Sequence, residues 1–398
     1  MVQHKIKGEL NKMIKEMAEK YKEYVIELRR ELHMNPGLSW EEFEASKIIK
    51  RELEKMGILY KECAGTGVVV DIKGAQEGKC VLLRADMDAL PVTECTTVDY
   101  KSQKNGVMHA CGHDGHVAQL LGAVRILNEC KDKIKGTVRC VFQPAEEIGQ
   151  GAAKMIKEGV LEGVDSAFAI HLWSDIPVGK VSVEAGPRMA SADNFEIKIT
   201  GKGGHGSLPQ QCVDPVVTAS AFIMNLQSIS SRETNPNDSL VITVGKLQAG
   251  TTFNVIPGYA VIQGTTRCFN PELRKEIPNK IERILKGTTD IYRAEYEMKY
   301  MFYPAPVIND EKCSKIARDS VRKLLGEEGF YSLEKLTTAE DFSAFSTKVP
   351  GVLAFVGVRN SDKECKYPHH HAKFNMDEDG FVIGTSLYVQ YALDFLNN

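Results

Sequence analysis

Several features that this sequence lacks exclude whole classes of protein. No window of uncharged apolar residues approaches the length that a membrane span requires. The first residues carry charges and contain no secretory apolar core, so we expect a cytoplasmic protein. The net charge of −3 argues against the basic face that nucleic acid requires. We therefore expect neither a membrane nor a nucleic acid as a partner.

Paired cysteine motifs and repeats are missing as well. The 10 cysteines are scattered, and no two of them form a C-x-x-C pair. In a chain without a secretory segment this pattern indicates reduced thiols rather than a disulfide framework. The sequence contains no internal repeat and no low-complexity tract. At 398 residues it exceeds one ordinary domain, so two domains are expected.

The order of the predicted elements divides the chain into three parts. Within residues 1–186 and 305–398, buried strands alternate with helices, which favours an α/β sheet with helices on both faces. Residues 187–304 instead predict a βαββαβ unit, a four-stranded sheet with two helices on one face. Its second helix is predicted from Pro271 to Leu285 and its last strand from Tyr292 to Phe302. We therefore expect a two-domain mixed α/β protein in which a ferredoxin-like domain is inserted into a larger one.

Near the N-terminus the apolar spacing predicts two helices. Apolar residues at intervals of three and four between Ile14 and Leu32 indicate one amphipathic helix. Ser39 and Glu42 lie in a stretch with the spacing of a capping box, which predicts the start of a second helix that ends at Gly57.

The segment Met108–His116, MHACGHDGH, is the richest in potential metal ligands. Its glycines let the backbone bend so that Cys111 and His113 can face one point. Cys and His are preferred ligands of zinc-like metals, although the C-x-H spacing alone is weak evidence. Eight of the 10 histidines lie in or beside four short motifs, namely His109, His113, His116, His171, His205, His369, His370 and His371.

Pairs of carboxylates follow two predicted strands, where an α/β sheet places its sites. Asp86 and Asp88 are two apart on an extended segment and point the same way, so they can hold a metal or orient a ligand histidine. A solvated turn is the alternative. Glu146 and Glu147 follow the strand Val138–Phe142, and one can bind metal while its neighbour moves protons. Alone, such a pair is usually a solvated surface pair.

The remaining histidines are ambiguous when taken singly. His171 ends a strand, where a histidine is more often packed than a ligand. His369, His370 and His371 alternate in direction, so at most two of them can face one site. A glycine-rich turn presents His205 but lacks the strand and helix context of a phosphate loop, which argues against nucleotide binding.

In combination, these motifs resemble the aminoacylase/carboxypeptidase family of two-metal peptidases, and more closely its amidohydrolase branch. That branch includes N-acyl-amino-acid, hippurate and auxin-conjugate hydrolases. The resemblance runs from Leu28 to the last helix. It implies a phosphorylase/hydrolase-like catalytic domain with an inserted lid that also dimerises. The motifs that carry it are RADMDALP, MHACGHDGH, QPAEE, AIHLW, GKGGHGS, NVIP and a late His-x-x-x-Phe.

The resemblance implies two divalent metal ions per subunit: zinc, manganese, cobalt or nickel. Cys111 would be a thiolate near both ions. Counting back from Phe374 picks His370 as the last ligand, although alanine replaces the usual proline between them and His369 and His371 stay open. The implied ligands are Cys111, His113, Glu147, His171 and His370.

The resemblance also implies roles in catalysis. Glu146 would be the general base, taking the proton of a water shared by the metals and passing it to the leaving nitrogen. Asp88 would hold a ligand imidazole, with Asp86 a weaker candidate for that role. His205 would enter the active site of the other subunit of a homodimer or homotetramer and bind the oxyanion. The residues implied to hold the α-carboxylate of the substrate are Arg267 and Asn254.

These motifs allow three functions. The first is metal-dependent hydrolysis of a small N-acyl amino acid, with a carboxypeptidase or dipeptidase as the alternative within the same chemistry. The second is a catalytically silent binding homologue, which loss of Glu146 or of a ligand would have favoured. The third is a structural zinc site, which favours cysteine-rich tetrads with short regular spacing. For Arg267 taken alone, an ordinary surface arginine is the simpler interpretation.

Overall fold

The chain forms two units in the computed structural model, which describes residues 2–398 and the side chains from residue 10 onward. The first unit contains the chain up to Arg188, together with Ile308–Glu334 and Asp341–Asn398. The second unit contains Met189–Val307 and the short segment Lys335–Glu340. No helix within residues 2–398 combines the length and the apolar character that a membrane crossing demands.

Helices and strands alternate along the first part of the chain. The helices are α1 (Val2–Lys20), α2 (Lys22–Met34), α3 (Phe43–Lys55), α4 (His113–Glu129) and α5 (Gly151–Lys157). The strands are β1 (Lys61–Cys63), β2 (Gly67–Lys73), β3 (Gln76–Asp86), β4 (Lys135–Gln143), β5 (Ser166–Pro177), β6 (Val181–Ser182) and β7 (Gly186–Met189).

The remaining elements belong to the second unit and to the later part of the chain, most of which belongs to the first unit. The strands of the second unit are β8 (Asp193–Thr200), β9 (Gly204–His205), β10 (Leu240–Ala249), β11 (Val255–Ile256), β12 (Tyr259–Cys268) and β13 (Glu295–Phe302), and its helices are α6 (Pro215–Ser228) and α7 (Pro271–Tyr292). The elements that follow are β14 (Val307–Asn309), α8 (Glu311–Leu325), α9 (Ser343–Ser346), β15 (Gly351–Arg359) and α10 (Gly380–Leu396).

A seven-stranded sheet in the order β1-β2-β4-β3-β5-β15-β6 organises the first unit. The four central strands are parallel, and the register places Leu83 of β3 opposite Cys140 of β4 and Phe168 of β5. Both edges are antiparallel. Because the parallel strands share a direction, the segments after β3 and β4 emerge at one edge of the sheet.

The central strands and two of the helices form the core of the first unit. Val81, Leu82 and Leu83 of β3 are fully buried. Helices α4 and α10 are buried on nearly all sides, which explains why their apolar residues do not form a single stripe. Because α4 is buried on nearly all sides, it gives the residues at its N-terminus a rigid support.

The second unit is built on a four-stranded antiparallel sheet in the order β10-β12-β8-β13. Its core joins Phe195, Ile197 and Ile199 of β8 to Phe222 of α6 and Ile281 of α7. Two helices on a βαββαβ sheet of this order make a ferredoxin-like arrangement. The predicted fold class, a mixed α/β protein with this insertion, is confirmed.

Two predictions of where helices begin and end are wrong. The single helix expected from Ile14 to Leu32 is interrupted at Tyr21, which separates α1 from α2. The apolar spacing continues across this break because both helices pack against the same core. The helix predicted from Pro271 to Leu285 extends to Tyr292, so the strand expected from Tyr292 begins at Glu295.

Candidate active site

Acidic side chains gather at the carboxyl ends of the two neighbouring parallel strands β3 and β4. Asp86 is the last residue of β3, and Asp88 follows it. Gln143 ends β4, and Glu146 and Glu147 follow in a tight loop. Because β3 and β4 are adjacent and parallel, four carboxylates lie at one edge of the sheet.

The turn before α4 brings Cys111 and His113 to the same edge. Gly112 has a φ of 90°, and a Cβ there would lie 2.9 Å from Sδ of Met376, so this position favours glycine. Sγ of Cys111 lies 3.7 Å from Nε2 of His171 in β5. Potential ligand atoms of Cys111, His113 and His171 lie within 4.8 Å of one another.

His113 is fully buried and presents one ring nitrogen to this cluster. Its Nδ1 lies 2.9 Å from the carbonyl oxygen of Asp88 and 3.3 Å from Oδ1 of Asp88, so we assign the proton to Nδ1. Its Nε2 is buried without a hydrogen-bond partner among the described residues, 3.9 Å from Oε1 of Glu147. A buried nitrogen requires a partner, and a metal ion is one that fits.

The charges around His113 favour a cation at this position. Burial lowers the pKa of His113, but the carboxylates of Asp86 and Asp88 outweigh burial and raise that pKa to about 10. Burial raises the pKa of Glu147 to about 7. Burial also acts to raise the pKa of Asp86, yet the charges of Arg84 and His113 hold it well below its usual range. A proton on His113 or a metal ion in front of it balances this negative charge.

His171 and His116 use their ring nitrogens differently. Nδ1 of His171 donates to the carbonyl of Leu172 at 2.8 Å, which leaves Nε2 facing Cys111. Burial holds the pKa of His171 well below its usual value, so the ring is neutral and can bind a metal. Nε2 of His116 accepts from the amide of Leu172 at 2.8 Å, and its Nδ1 donates to Oδ1 of Asp86 at 2.5 Å. His116 therefore orients Asp86 and β5.

Among the three consecutive histidines, His370 is the one that groups with other potential ligands. Its Nε2 lies 3.6 Å from Oε1 of Glu147, and the ligand atoms of His370, Glu147 and Cys111 lie within 4.8 Å of one another. A left-handed φ of 65° and a 2.8 Å hydrogen bond from its amide to the carbonyl of Ala110 hold His370 in this position.

The two neighbours of His370 have other contacts. His369 is half-buried, and its Nε2 accepts from the amide of Ser174 at 3.2 Å. Burial lowers the pKa of His369 to about 3, so this ring is neutral. His371 lies on the surface, where its Nδ1 accepts from the amide of Lys373 at 3.0 Å.

Asp88 connects His113 to the loop that carries the paired glutamates. Its Oδ2 accepts from the amide of Glu147 at 3.0 Å and from the hydroxyl of Ser39 at 2.7 Å. The prediction of a capping box at Ser39 is wrong, because α3 begins at Phe43, after Glu42, and no side chain caps its N-terminus. The hydroxyl of Ser39 binds the buried carboxylate of Asp88 instead.

The donor set fits two metal ions. Of the five groups of potential ligands within the described residues, three share Cys111, His113 or Glu147, and each of the three places its ligand atoms within 4.8 Å of one another. Ligands shared in this way suit two neighbouring ions. One thiol, imidazoles and carboxylates form a mixed set that differs from the cysteine-rich tetrads of structural zinc. The three groups are Cys111–His113–His171, His113–Glu146–Glu147 and Cys111–Glu147–His370.

The other predicted site residues belong to the second unit. His205 pairs with Val255 across β9 and β11, which places it beside Asn254 in the fold of this unit. Nδ1 of His205 lies 2.8 Å from the hydroxyl of Ser207. Arg267 lies in β12.

Two residues that contact the acidic cluster were not predicted from the sequence. Arg84 donates to Oδ2 of Asp86 at 2.7 Å, and the amide of Asp341 lies 3.3 Å from Oε1 of Glu146. A charged residue after three apolar positions of a buried strand, as in Val81–Arg84, is the signal that could have identified Arg84. Asp341 offered no such signal.

Comparisons with known proteins agree with these motifs. The chain is 41% identical to thermostable carboxypeptidase 2 of Saccharolobus solfataricus over 98% of this chain and 100% of that protein. It is 41% identical to N-acetyl-L-cysteine deacetylase of Bacillus subtilis over 90% of this chain and 85% of that protein. A solved Bacillus subtilis structure, described as a dinuclear metal binding peptidase from the M20 family, matches with a TM-score of 0.84 and 35% identity over 95% of this chain and 99% of that one.

The model of peptidase family M20/M25/M40 matches residues 82–394. Both the predicted family and the predicted class of enzyme, a metal-dependent amidohydrolase or peptidase, are confirmed. The chain belongs to peptidase family M20/M25/M40.

Proposed function

We propose that this protein hydrolyses the amide bond of N-acyl amino acids with a free α-carboxylate, releasing a carboxylic acid and an amino acid. One observation carries the proposal: two adjacent carboxylates flank a buried histidine nitrogen that has no hydrogen-bond partner in the part of the chain that the structure describes. Oε2 of Glu146 lies 4.0 Å and Oε1 of Glu147 lies 3.9 Å from Nε2 of His113. This placement suits one carboxylate for binding a metal and the other for moving a proton.

We infer that two divalent ions per subunit are held by the ligand set introduced above. When bound, such ions acidify a water and polarise the substrate carbonyl. Asp88 fixes the orientation of His113 through Nδ1, so that Nε2 would be available to a metal ion. Zinc, manganese, cobalt and nickel all suit this mixture of donors. The proposed ligands are Cys111, His113, Glu147, His171 and His370.

Glu146 is the proposed general base and acid. It takes a proton from the attacking water and returns the proton to the leaving nitrogen, so one carboxylate serves both half-reactions. Its Oε1 accepts from the amide of Asp341, and its Oε2 is the oxygen near His113. Oε2 is therefore the oxygen that exchanges the proton.

The second unit is proposed to close over the substrate and to form a homodimer or homotetramer. His205 would then stabilise the oxyanion in the other subunit, and Asn254 and Arg267 would bind the α-carboxylate. Arg267 is suited to this task because its guanidinium donates to neutral oxygens of Thr265 and Thr266, and a guanidinium can bind a carboxylate through two parallel hydrogen bonds.

Carboxypeptidase or dipeptidase activity is the second candidate function. The identity of 41% to a thermostable carboxypeptidase supports it as strongly as the identity of 41% to a deacetylase supports the first. Both reactions hydrolyse the amide bond to an amino acid with a free carboxylate. They differ only in the group on the acyl side.

A substrate panel tests the proposal. Metal-stripped enzyme is reloaded with manganese, zinc, cobalt or nickel and assayed on N-acetyl, N-benzoyl and N-indoleacetyl amino acids and on dipeptides, each as the carboxylate and as the carboxamide. We expect metal-dependent release of amino acid from the carboxylate forms. Silence across the panel, or release without metal, would contradict the proposal.

The role of Glu146 has its own control. Glu146→Gln should keep both metal ions and lose turnover by about two orders of magnitude or more. Glu44→Gln, on the surface of α3, should have the metal content and the turnover of the wild type. Turnover of Glu146→Gln close to that of the wild type would remove Glu146 from its proposed role.

A further inference from the structure

A buried network of polar side chains lies behind Glu146. Arg84 and Asp341 are 1% and 2% exposed. Arg84 donates through Nε to Oε1 of Gln143 at 2.8 Å and through Nη1 to Oδ2 of Asp86 at 2.7 Å. Its Nη2 donates to Oδ1 of Asp341 at 2.9 Å. One guanidinium therefore joins β3, the end of β4 and the segment that begins at Asp341.

The carboxylate of Asp341 binds both ends of the loop that carries Glu146. Nε2 of Gln143, at the start of the loop, donates to Oδ1 of Asp341 at 2.8 Å. The amide of Ala152, just after the loop, donates to Oδ2 of Asp341 at 3.0 Å. The amide of Asp341 then donates to Oε1 of Glu146 at 3.3 Å. Asp341 thus fixes both the loop and one carboxylate oxygen of Glu146.

The loop between these anchors has little freedom. Ala145 adopts a left-handed φ of 53°. A Cβ on Gly151 would lie 1.6 Å from the carbonyl oxygen of Pro144, so the two ends of the loop are in direct backbone contact. A shift of Gln143 or Ala152 therefore also moves Glu146, because the loop between them is too constrained to adjust its backbone.

We propose that Arg84 and Asp341 are positioning residues for Glu146. They hold its Oε1 on the amide of Asp341, so that Oε2 faces His113 and the water that is to be deprotonated. Displacement of a reacting group by about 1 Å costs about a hundredfold in rate. The network acts on Glu146, whereas the neighbouring Glu147, a proposed metal ligand, is held separately by the hydrogen bond from its amide to Oδ2 of Asp88. This inference rests on the proposed function, in which Glu146 is the base.

A double-mutant cycle separates positioning from general support of the fold. The full-length, metal-loaded enzyme is assayed on the N-acyl amino acid of the panel that it hydrolyses fastest. The variants are Asp341→Asn, which keeps the size of the side chain but puts an amide opposite the amide of Ala152, and Glu146→Asp, which withdraws the carboxylate from the amide of Asp341. Measurements of kcat, KM, metal content and melting temperature are made on each single variant and on the double variant.

We expect Asp341→Asn to lower kcat by about tenfold to a hundredfold, with KM and metal content within about twofold of the wild type. In the Glu146→Asp background the same change should lower kcat by less than about twofold, because the contact that it serves is already lost. Asp71→Asn, which weakens the Arg139–Asp71 pair at the edge of the same sheet, is the control and should leave kcat unchanged.

Arg84→Lys provides a second route if Asp341→Asn does not fold. It keeps the positive charge but loses the planar fork that reaches Gln143, Asp86 and Asp341 together. Arg84→Lys should also lower kcat by about tenfold to a hundredfold, and this loss should fall below about twofold in the Glu146→Asp background.

Two outcomes overturn the positioning role: a kcat of Asp341→Asn equal to that of the wild type, or an equal fall in both backgrounds. Loss of metal from Asp341→Asn also overturns it, since the network would then support the ligands. Failure of the proposed function is distinguishable, because Glu146→Gln would then retain wild-type turnover.

Discussion

Oδ1 of Asp88 lies 3.3 Å from Nδ1 of His113, and the carbonyl oxygen of Asp88 lies 2.9 Å from the same nitrogen. One residue thereby fixes the tautomer and the orientation of the imidazole that faces the proposed metal ions. The remaining oxygen of Asp88 accepts from the amide of Glu147, so the same carboxylate also positions a second proposed ligand.

Replacing Asp88 should weaken metal binding and leave the fold intact. Asp88→Ala is expected to lower metal affinity by about 10-fold to 100-fold, as loss of residues that orient ligand histidines does. Titration of the apoenzyme with zinc or manganese, followed by calorimetry, measures the change. Ser39→Ala, which removes only the hydroxyl bond to Asp88, should have a smaller effect in the same direction. Unchanged affinity in Asp88→Ala would contradict this role.

Cys111 should be required for full metal content. Cys111→Ala removes the thiolate proposed to lie near both ions and should leave fewer than two metals per subunit. Native mass spectrometry counts the bound ions directly. Cys95→Ala, at an exposed thiol outside the cluster, is the matched control and should retain the wild-type content. Full occupancy in Cys111→Ala would exclude this thiol as a ligand.

Gly151 should tolerate no side chain. Gly151→Ala puts a Cβ within 1.6 Å of the carbonyl oxygen of Pro144, so the loop that carries Glu146 and Glu147 must shift. Turnover should fall by about tenfold or more, because displaced catalytic groups lose rate steeply. Gly287→Ala is the control, since a Cβ there meets nothing within 4 Å inside a helix. It should keep full activity and gain about 0.5–1 kcal/mol in free energy of unfolding.

Arg267 should discriminate substrates by their carboxylate. Arg267→Ala is expected to reduce kcat/KM for carboxylate substrates by about tenfold or more and to change little for the matching carboxamides. Arg232→Ala, at an exposed arginine of the same unit, provides the comparison. Equal losses on the two classes of substrate would show that Arg267 does not bind the carboxylate.

The stability of the apoenzyme should depend on pH through His33. Burial and Arg29 lower the pKa of His33, but hydrogen bonds to Asp114 and Glu94 outweigh them and raise it above the usual 6.5. The stabilising contribution of His33 is therefore complete below pH 6.5 and declines as pH rises through the higher pKa of the folded state.

Urea unfolding of wild type and His33→Gln in chelator, at several pH values, tests this expectation. The difference in free energy of unfolding between the two proteins should shrink as pH rises above 6.5. His371→Gln, at a surface histidine, should unfold like the wild type at each pH. A difference that grows with pH would show that His33 is neutral in the folded protein.

Local patterns in the sequence determined the fold class and the candidate residues. Alternating strands and helices predicted the parallel sheet, and the βαββαβ order predicted the ferredoxin-like insertion. Both could be predicted because the apolar period that distinguishes a helix from a strand is visible within a short stretch of sequence. The motif MHACGHDGH and the pair Glu146–Glu147 marked the site, since each places its ligands within a few residues. Which of three consecutive histidines meets Glu147 stayed open.

Only the tertiary structure decided which atoms meet. Arg84 and Asp341 are 257 positions apart and are brought together by the packing of the sheet, so no spacing in the sequence predicts their ion pair. The hydroxyl of Ser39 binds Asp88 rather than a helix terminus, because a buried carboxylate requires donors that only the folded chain supplies. His370 reaches Glu147 through a left-handed backbone conformation that local propensity disfavours and the surrounding fold imposes.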